Sequence, residues 1–156
     1  MVRGITGRPA GRRFYDPSVS CSRTYATLRL LHEELDPDLI TSRLGLHPTR
    51  TFRTGEPMGH GSMTPHRQGG WFLSTTDCDS VDVRVHVAHL LDQVESVGPV
   101  LQEIRQEDVR QDVTCFWQTT DGQGGPALDS AQMGRLANLD LSISFDVYNI
   151  RQIEPE

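Results

Sequence analysis

Three runs of this chain place apolar side chains at every second position, and that alternation restricts the available folds more than any other feature. From Thr24 to Leu31, Ala26, Leu28 and Leu30 fall on one side, Thr27 and Arg29 on the other. Val113, Cys115 and Trp117 alternate in a second run, and Leu141, Ile143, Phe145 and Val147 alternate with Ser142, Ser144, Asp146 and Tyr148 in a third. Successive side chains of a strand point to opposite faces, so each run reads as a strand buried on one side. Strands of this kind build a sheet with one open or lightly covered face and helices packed on the other, whereas parallel sheets buried on both faces carry continuous apolar runs. The expected fold class is therefore α+β: two layers, with a mainly antiparallel four-stranded sheet and helices on one face. A doubly wound parallel sheet is the lesser alternative.

Between these strands the helix boundaries are marked in the sequence. In ELDPDLITSRLGLHPTRTFRTGEP, Glu34 to Pro57, Asp36 is placed to cap a helix and Pro37 suits its first position. Asp38 favours the positive end, Ile40 and Leu44 share a face, and Gly45 can close the helix in a left-handed conformation. Pro48 prevents continuation, so Thr49 to Thr54 leaves as an extended basic segment before a loop over 55–70, long enough to be either functional or disordered. Trp71 to Leu73 starts another strand, and Val83, Val87, Leu90, Leu91 and Val94 have helical spacing. Gly98-Pro99 interrupts that helix, and Leu101 with Ile104 continues in a short second one. After the Gly-rich connection Asp121 to Pro126, Asp129-Ser130-Ala131-Gln132 resembles a capping box that opens a helix to about Ala137. Strand, Asp-capped helix, strand thus occurs twice, from Thr24 to Ser74 and from Val113 to Tyr148, which points to a duplicated βαβ unit of ferredoxin-like kind.

A length of 156 residues fits one domain. Its expected bounds are 23–150, after a basic tail over 1–22 that carries Arg3, Arg8, Arg12 and Arg13, and before a short C-terminal tail over 151–156. Three cysteines without C-x-x-C spacing, together with no apolar run suited to export, lead to the expectation of a reduced cytoplasm, and no segment reads as a membrane span. The net charge of −6 disfavours bulk attraction to nucleic acid or membrane, although all fifteen basic residues are arginine, a planar fork suited to carboxylate or phosphate. Charge is also uneven. Arg43 to Arg67 carries four arginines against Glu56, while Asp77 to Asp112 carries nine acids against three arginines.

Several of these residues together carry a family resemblance. Ala26-x-Leu28 in the first strand, the run from Asp36-Pro37 through Leu44-Gly45-Leu46 to Pro48-Thr49, Thr54-Gly55-Glu56, Trp71, a helix with His86, and Asp146-x-Tyr148 stand in the order of the bacterial family catalogued as domain of unknown function 4279, which the chain resembles from about Arg23 to Ile150. The resemblance implies a small bacterial single-domain protein without an established activity and carries over no catalytic residue. The basic tail and the segment Met58 to Gln68 depart from the family's pattern.

No stretch combines into a catalytic signature, and no catalytic residue, metal or cofactor is assigned. The candidate binding residues are Arg50, Arg53, His60, His66, Arg67 and Trp71, in or beside the 55–70 loop. Two histidines there are too few for a metal unless His86, His89 or Cys78 folds against them, and the plain alternative is a solvated loop. Gly122 to Gly125 lacks the Lys-Ser/Thr of a phosphate loop and has acids on either side. Cys78 lies between Asp77 and Asp79, poor surroundings for a nucleophile. The leading expectation is a non-catalytic protein-interaction module, regulatory or neutralising in the manner of an immunity protein, for which a homodimer is compatible. The alternative is a small-molecule or metal-dependent binding or hydrolytic protein using the 55–70 loop, and third is RNA binding through the basic tail.

Overall fold

The computed structural model of the chain describes residues 20 to 150. Its spine is β1 (Cys21–His32), which is hydrogen-bonded along both edges. Strands β3 (Gly69–Ser74) and β4 (Arg110–Thr119) flank it, both antiparallel to it. Outside β3 lies the three-residue β2 (Arg50–Phe52), antiparallel to β3, and outside β4 lies β5 (Ser142–Asn149), parallel to β4, so the order is β2-β3-β1-β4-β5.

The fold is α+β, but the expected four-stranded antiparallel sheet is a five-stranded mixed one. The additional strand is the extended exit from the first helix, too short for its alternation to show, which pairs Arg50 with Phe72 and Phe52 with Gly70. The parallel pair arises because the long connection between β4 and β5 contains a helix that carries the chain back to the side from which it started. The expected duplication is also corrected. Its first unit begins and ends on β1 and β3, antiparallel neighbours, and its second on β4 and β5, parallel neighbours. The strand parallel to β1 on that side is β2, with β3 between them.

Helix α1 (Pro37–Leu44) has the expected ends: the Asp36 carboxylate accepts from the Asp38 N–H at 3.0 Å, and Gly45 closes it at φ 64°, its N–H donating to the Thr41 carbonyl. Helix α2 (Val83–Val94) passes through a single 3-10 turn into α3 (Gly98–Arg105), and α4 (Ser130–Asn138) opens with the capping box of Asp129 and Gln132. Ala26, Leu28 and Leu30 of β1 are fully buried with Val87, Leu90, Leu91 and Val94 of α2. That contact fixes which face of the sheet is inside.

His86, a possible third metal ligand by sequence, is fully buried and makes two hydrogen bonds within the fold. The Ser80 carbonyl, 2.8 Å from Nε2, can only accept, so Nε2 carries a proton, while Nδ1 is hydrogen-bonded to the Thr75 hydroxyl at 2.7 Å. Thr75 in turn accepts from the Ala26 N–H at 3.0 Å, which ties the turn after β3 to both α2 and β1.

The basic tail lies outside the described residues except for 20–22, and Cys21 and Ser22 belong to β1; 151–156 are also outside them. Among the described residues no helix is long and apolar enough to cross a membrane.

The α1 exit offers a direct stability test. A Cβ at Gly45 would meet no atom within 4 Å, so Gly45→Val should act through backbone strain alone and cost about 1 kcal/mol or more. Chemical denaturation should show an earlier midpoint with an unchanged slope.

Candidate functional site

The residues singled out from the sequence do not converge. The 55–70 segment folds back on itself: Gly55 donates to the His66 carbonyl, His66 to the Glu56 carbonyl and Met58 to the Thr64 carbonyl. His60 is exposed at its far end, whereas His66 returns to stack on Phe52 with ring centroids 3.8 Å apart. Gly70 makes room for this layer, since a Cβ there would fall 2.2 Å from the Phe52 ring. Arg67 is exposed beside a shallow apolar hollow formed by Leu31, Phe52, Met58 and Pro65. Among the described residues no three of His, Cys, Asp or Glu are grouped so as to hold a metal.

Two candidates are structural. Trp71 is fully buried, and its Nε1 donates to the Thr41 hydroxyl at 2.9 Å, fastening β3 to α1 from inside. Arg53 donates to Asp36 at 3.0 Å and to Asp38 at 2.7 Å, tying the end of β2 to the N-terminal turn of α1. The Thr54 hydroxyl reinforces that tie by donating to the Glu33 carbonyl. Arg50 differs from both. It is exposed, lies 5.3 Å from the Phe52 ring centroid, and among the described residues has no ion-pair partner.

Arg50 belongs to the face of the sheet that no helix covers. There the strand register aligns rows of side chains across the strands. One runs Arg50, Phe72, Arg29, Asp112; the next runs Ser74, Thr27, Thr114, Ser144; a third runs Tyr25, Phe116, Asp146. The middle row is built of small hydroxyl side chains and the flanking rows of large ones, which produces a trough of about 360 Å³ across the sheet with Arg50 near one end and Asp146 near the other. Its polar floor is ordered: the Thr27 hydroxyl donates to Ser74 Oγ at 3.0 Å, and Thr49 Oγ accepts from the Ser74 N–H at 3.0 Å. Arg29 is committed to Asp112 through bonds of 2.6 and 3.0 Å.

The aromatic side of the trough continues across the sheet. Tyr25 and Phe116 stack with centroids 5.0 Å apart and an interplanar angle of 10°, and Tyr148 stacks on Phe116 at 5.1 Å. Arg23, Arg29, Arg50 and Arg110 against Asp112 and Asp146 leave this face with two net positive charges in a chain of net −6. A larger groove of about 740 Å³ lies between α3 and α4, but its arginines are already engaged. Arg135 holds Asp92 and Glu95, and Arg105 holds Gln111, the Leu139 carbonyl and Asp140. The smaller trough has the uncommitted groups and is the better site.

Other sequence features have structural roles. Asp121 accepts from the Thr119 hydroxyl at 2.7 Å and from the Gln123 N–H at 2.9 Å, so the Gly-rich connection closes on its own carboxylate. Burial pushes the Cys115 thiol up to about 12, and burial also raises Cys21, which leaves half-exposed Cys78 as the accessible thiol.

A family model described as a domain of unknown function (DUF4279) matches residues 22–150. No match was found among curated proteins. None was found among solved structures.

Two measurements check this account. Loss of solvation raises the Asp36 carboxyl, but the Asp38 N–H and the Arg53 guanidinium outweigh it and hold the group below its ordinary range. A depressed folded value contributes stability above the unfolded value, about pH 4, that is lost as pH falls through the folded one. Arg53→Ala should therefore destabilise the protein at neutral pH, less so in high salt, and the gap to the wild type should close in acid; Arg50→Ala should leave the denaturation midpoint unchanged. With a thiol reagent, native protein should show one fast-reacting cysteine, lost in Cys78→Ser, with the others reacting only on unfolding.

Proposed function

Because the chain belongs to the DUF4279 family, and membership brings no activity with it, we propose from the geometry alone that this protein is a non-catalytic recognition module that binds a partner protein through the open face of its sheet. The observation that carries this reading is the contrast between the two sides of the molecule. On the helix side the arginines are spent on neighbouring carboxylates, as Arg43 is on Glu107 and Arg135 is on Asp92 and Glu95. On the sheet side Arg50 has no carboxylate partner among the described residues, and Tyr148 is half exposed at the end of an ordered aromatic row. Aromatic and arginine side chains on a rigid surface are the usual anchors of protein interfaces, because they bring large contact area for little lost freedom. A net positive face on an acidic molecule also steers a complementary partner and disfavours wrong ones.

A regulatory or neutralising role in the cytoplasm, of the immunity-protein kind, goes with this reading: such a protein needs a stable surface and no reactive group. Metal-dependent or hydrolytic use of the 55–70 loop has less support, since His60 and His66 are held apart and His66 is engaged with Phe52. RNA binding through Arg3, Arg8, Arg12 and Arg13 concerns a segment outside the described residues.

Capture from the native host separates these readings. Wild-type protein should recover a stoichiometric partner, an open-face variant carrying Arg50→Glu and Tyr148→Ser should lose it, and the helix-side control Gln102→Arg should keep it. Equal recovery by the open-face variant, loss by the control, or no stoichiometric partner under several conditions would count against the proposal.

A further inference from the structure

Resting on that reading of the open face, we infer that the trough receives a segment of the partner protein that carries one carboxylate beside an aromatic side chain, the aromatic entering as the next ring of the Tyr148, Phe116, Tyr25 stack. The three rings stand on successive strands, β5, β4 and β1, with centroid spacings of 5.1 and 5.0 Å, close to the distance between neighbouring strands. The next place in the row lies over the end of β3, where the chain presents Ser74 and Thr76 rather than a ring. One face of Tyr25 is covered by Phe116, so the other is turned toward β3 and the trough.

Arg23 does not cover that second face. Its guanidinium carbon is 5.6 Å from the Tyr25 centroid and 5.7 Å from the Phe116 centroid. A point equally far from two nearly parallel rings lies beside the gap between them, not on the outer face of either. A ring stacked on Tyr25 would therefore meet an apolar face on one side and the hydroxyls of Thr27 and Ser74 beneath, a setting that suits the indole or phenol of Trp or Tyr better than a plain hydrocarbon.

Charge selects what lies next to the ring. Arg29 is committed to Asp112, so Arg50 is the cation of the trough left to pair with an acid. Asp146 at the other end repels a second one. One carboxylate beside an aromatic residue satisfies both ends. The evenly spaced phosphates of a nucleic acid would place negative charge against Asp146, and the chain's overall −6 opposes them further.

The test is a titration of the full chain, followed by two-dimensional NMR of its backbone amides, with acetyl-Trp-Glu-amide, acetyl-Trp-Gln-amide, acetyl-Leu-Glu-amide and uridine monophosphate. Trp-Glu should move the amides of Tyr25, Thr27, Ser74 and Thr76 and bind more tightly than the other three. Arg50→Gln should weaken it about tenfold, the scale of one charge-assisted hydrogen bond. Tyr25→Leu, which keeps an apolar side chain at the position, should weaken it as well, with the remaining amide spectrum unchanged as the check on folding.

Absence of open-face shifts at about 10 mM Trp-Glu, where even a millimolar site would be mostly filled, overturns the inference. Binding indifferent to Arg50→Gln overturns it too, and tighter binding of uridine monophosphate replaces it with a nucleotide site. The wider proposal fails separately. If Arg50→Glu with Tyr148→Ser abolishes partner capture while Trp-Glu does not bind, the surface stands and the ring-and-acid inference falls; if only the helix-side control abolishes capture, both fall.

Discussion

The two-sided pairing of β1 is the constraint from which the rest of the molecule follows. A strand with ladders on both edges has no freedom of register, because a slip by one residue would exchange its two faces. Here that exchange would drive Arg29 and Tyr25 into the helices and expose Ala26, Leu28 and Leu30, now fully buried with the apolar side of α2. The same register that seats the core therefore sets Tyr25 beside Phe116 and Thr27 beside Ser74 and Thr114. Core and trough are two readings of one alignment. The open face can remain polar and aromatic because stability is supplied from the opposite side.

Where backbone chemistry is local, the sequence was a good guide. Asp36, Pro37 and Gly45 bound α1 as their conformational preferences require, and Asp129 with Gln132 opens α4 through reciprocal bonds. The alternation in the longer strands identified the buried faces of β1 and β4; on β5 it held only in part, since Ile143 and Phe145 are partly buried against the core whereas Val147, two residues on, is exposed. Pairing partners were less legible, since the sequence of a strand does not say which neighbour it meets or in which direction. β2 is too short to carry a period, and the parallel sense of β4 and β5 depends on where α4 leaves the chain.

The site was legible only in part, for a related reason. Arg50 and Arg53 stand three residues apart in one basic run, yet Arg50 has no acid partner among the described residues and Arg53 meets two from a helix start 15 and 17 residues earlier. Trp71 looked available beside a long loop, but its indole is held inside by Thr41. Conversely, Tyr25, Phe72 and Phe116 drew no attention as site residues. Their signal was present: each occupies the outward phase of a strand whose inward phase is apolar, and an aromatic residue in that phase must lie on the uncovered face.

The two edges of the sheet are unequal, and this limits how copies of the chain could associate along it. β2 offers only three residues and is followed at once by the folded 55–70 segment, whereas β5 presents eight residues with one side unpaired in the sheet. Continuous growth of a sheet from identical units needs a usable edge at each end, so that every addition regenerates an acceptor. The described residues of this protein supply one. Edge-to-edge association through β5 would join two copies about a two-fold axis and consume both long edges, leaving the short β2 at either end: a closed pair in place of an open fibre.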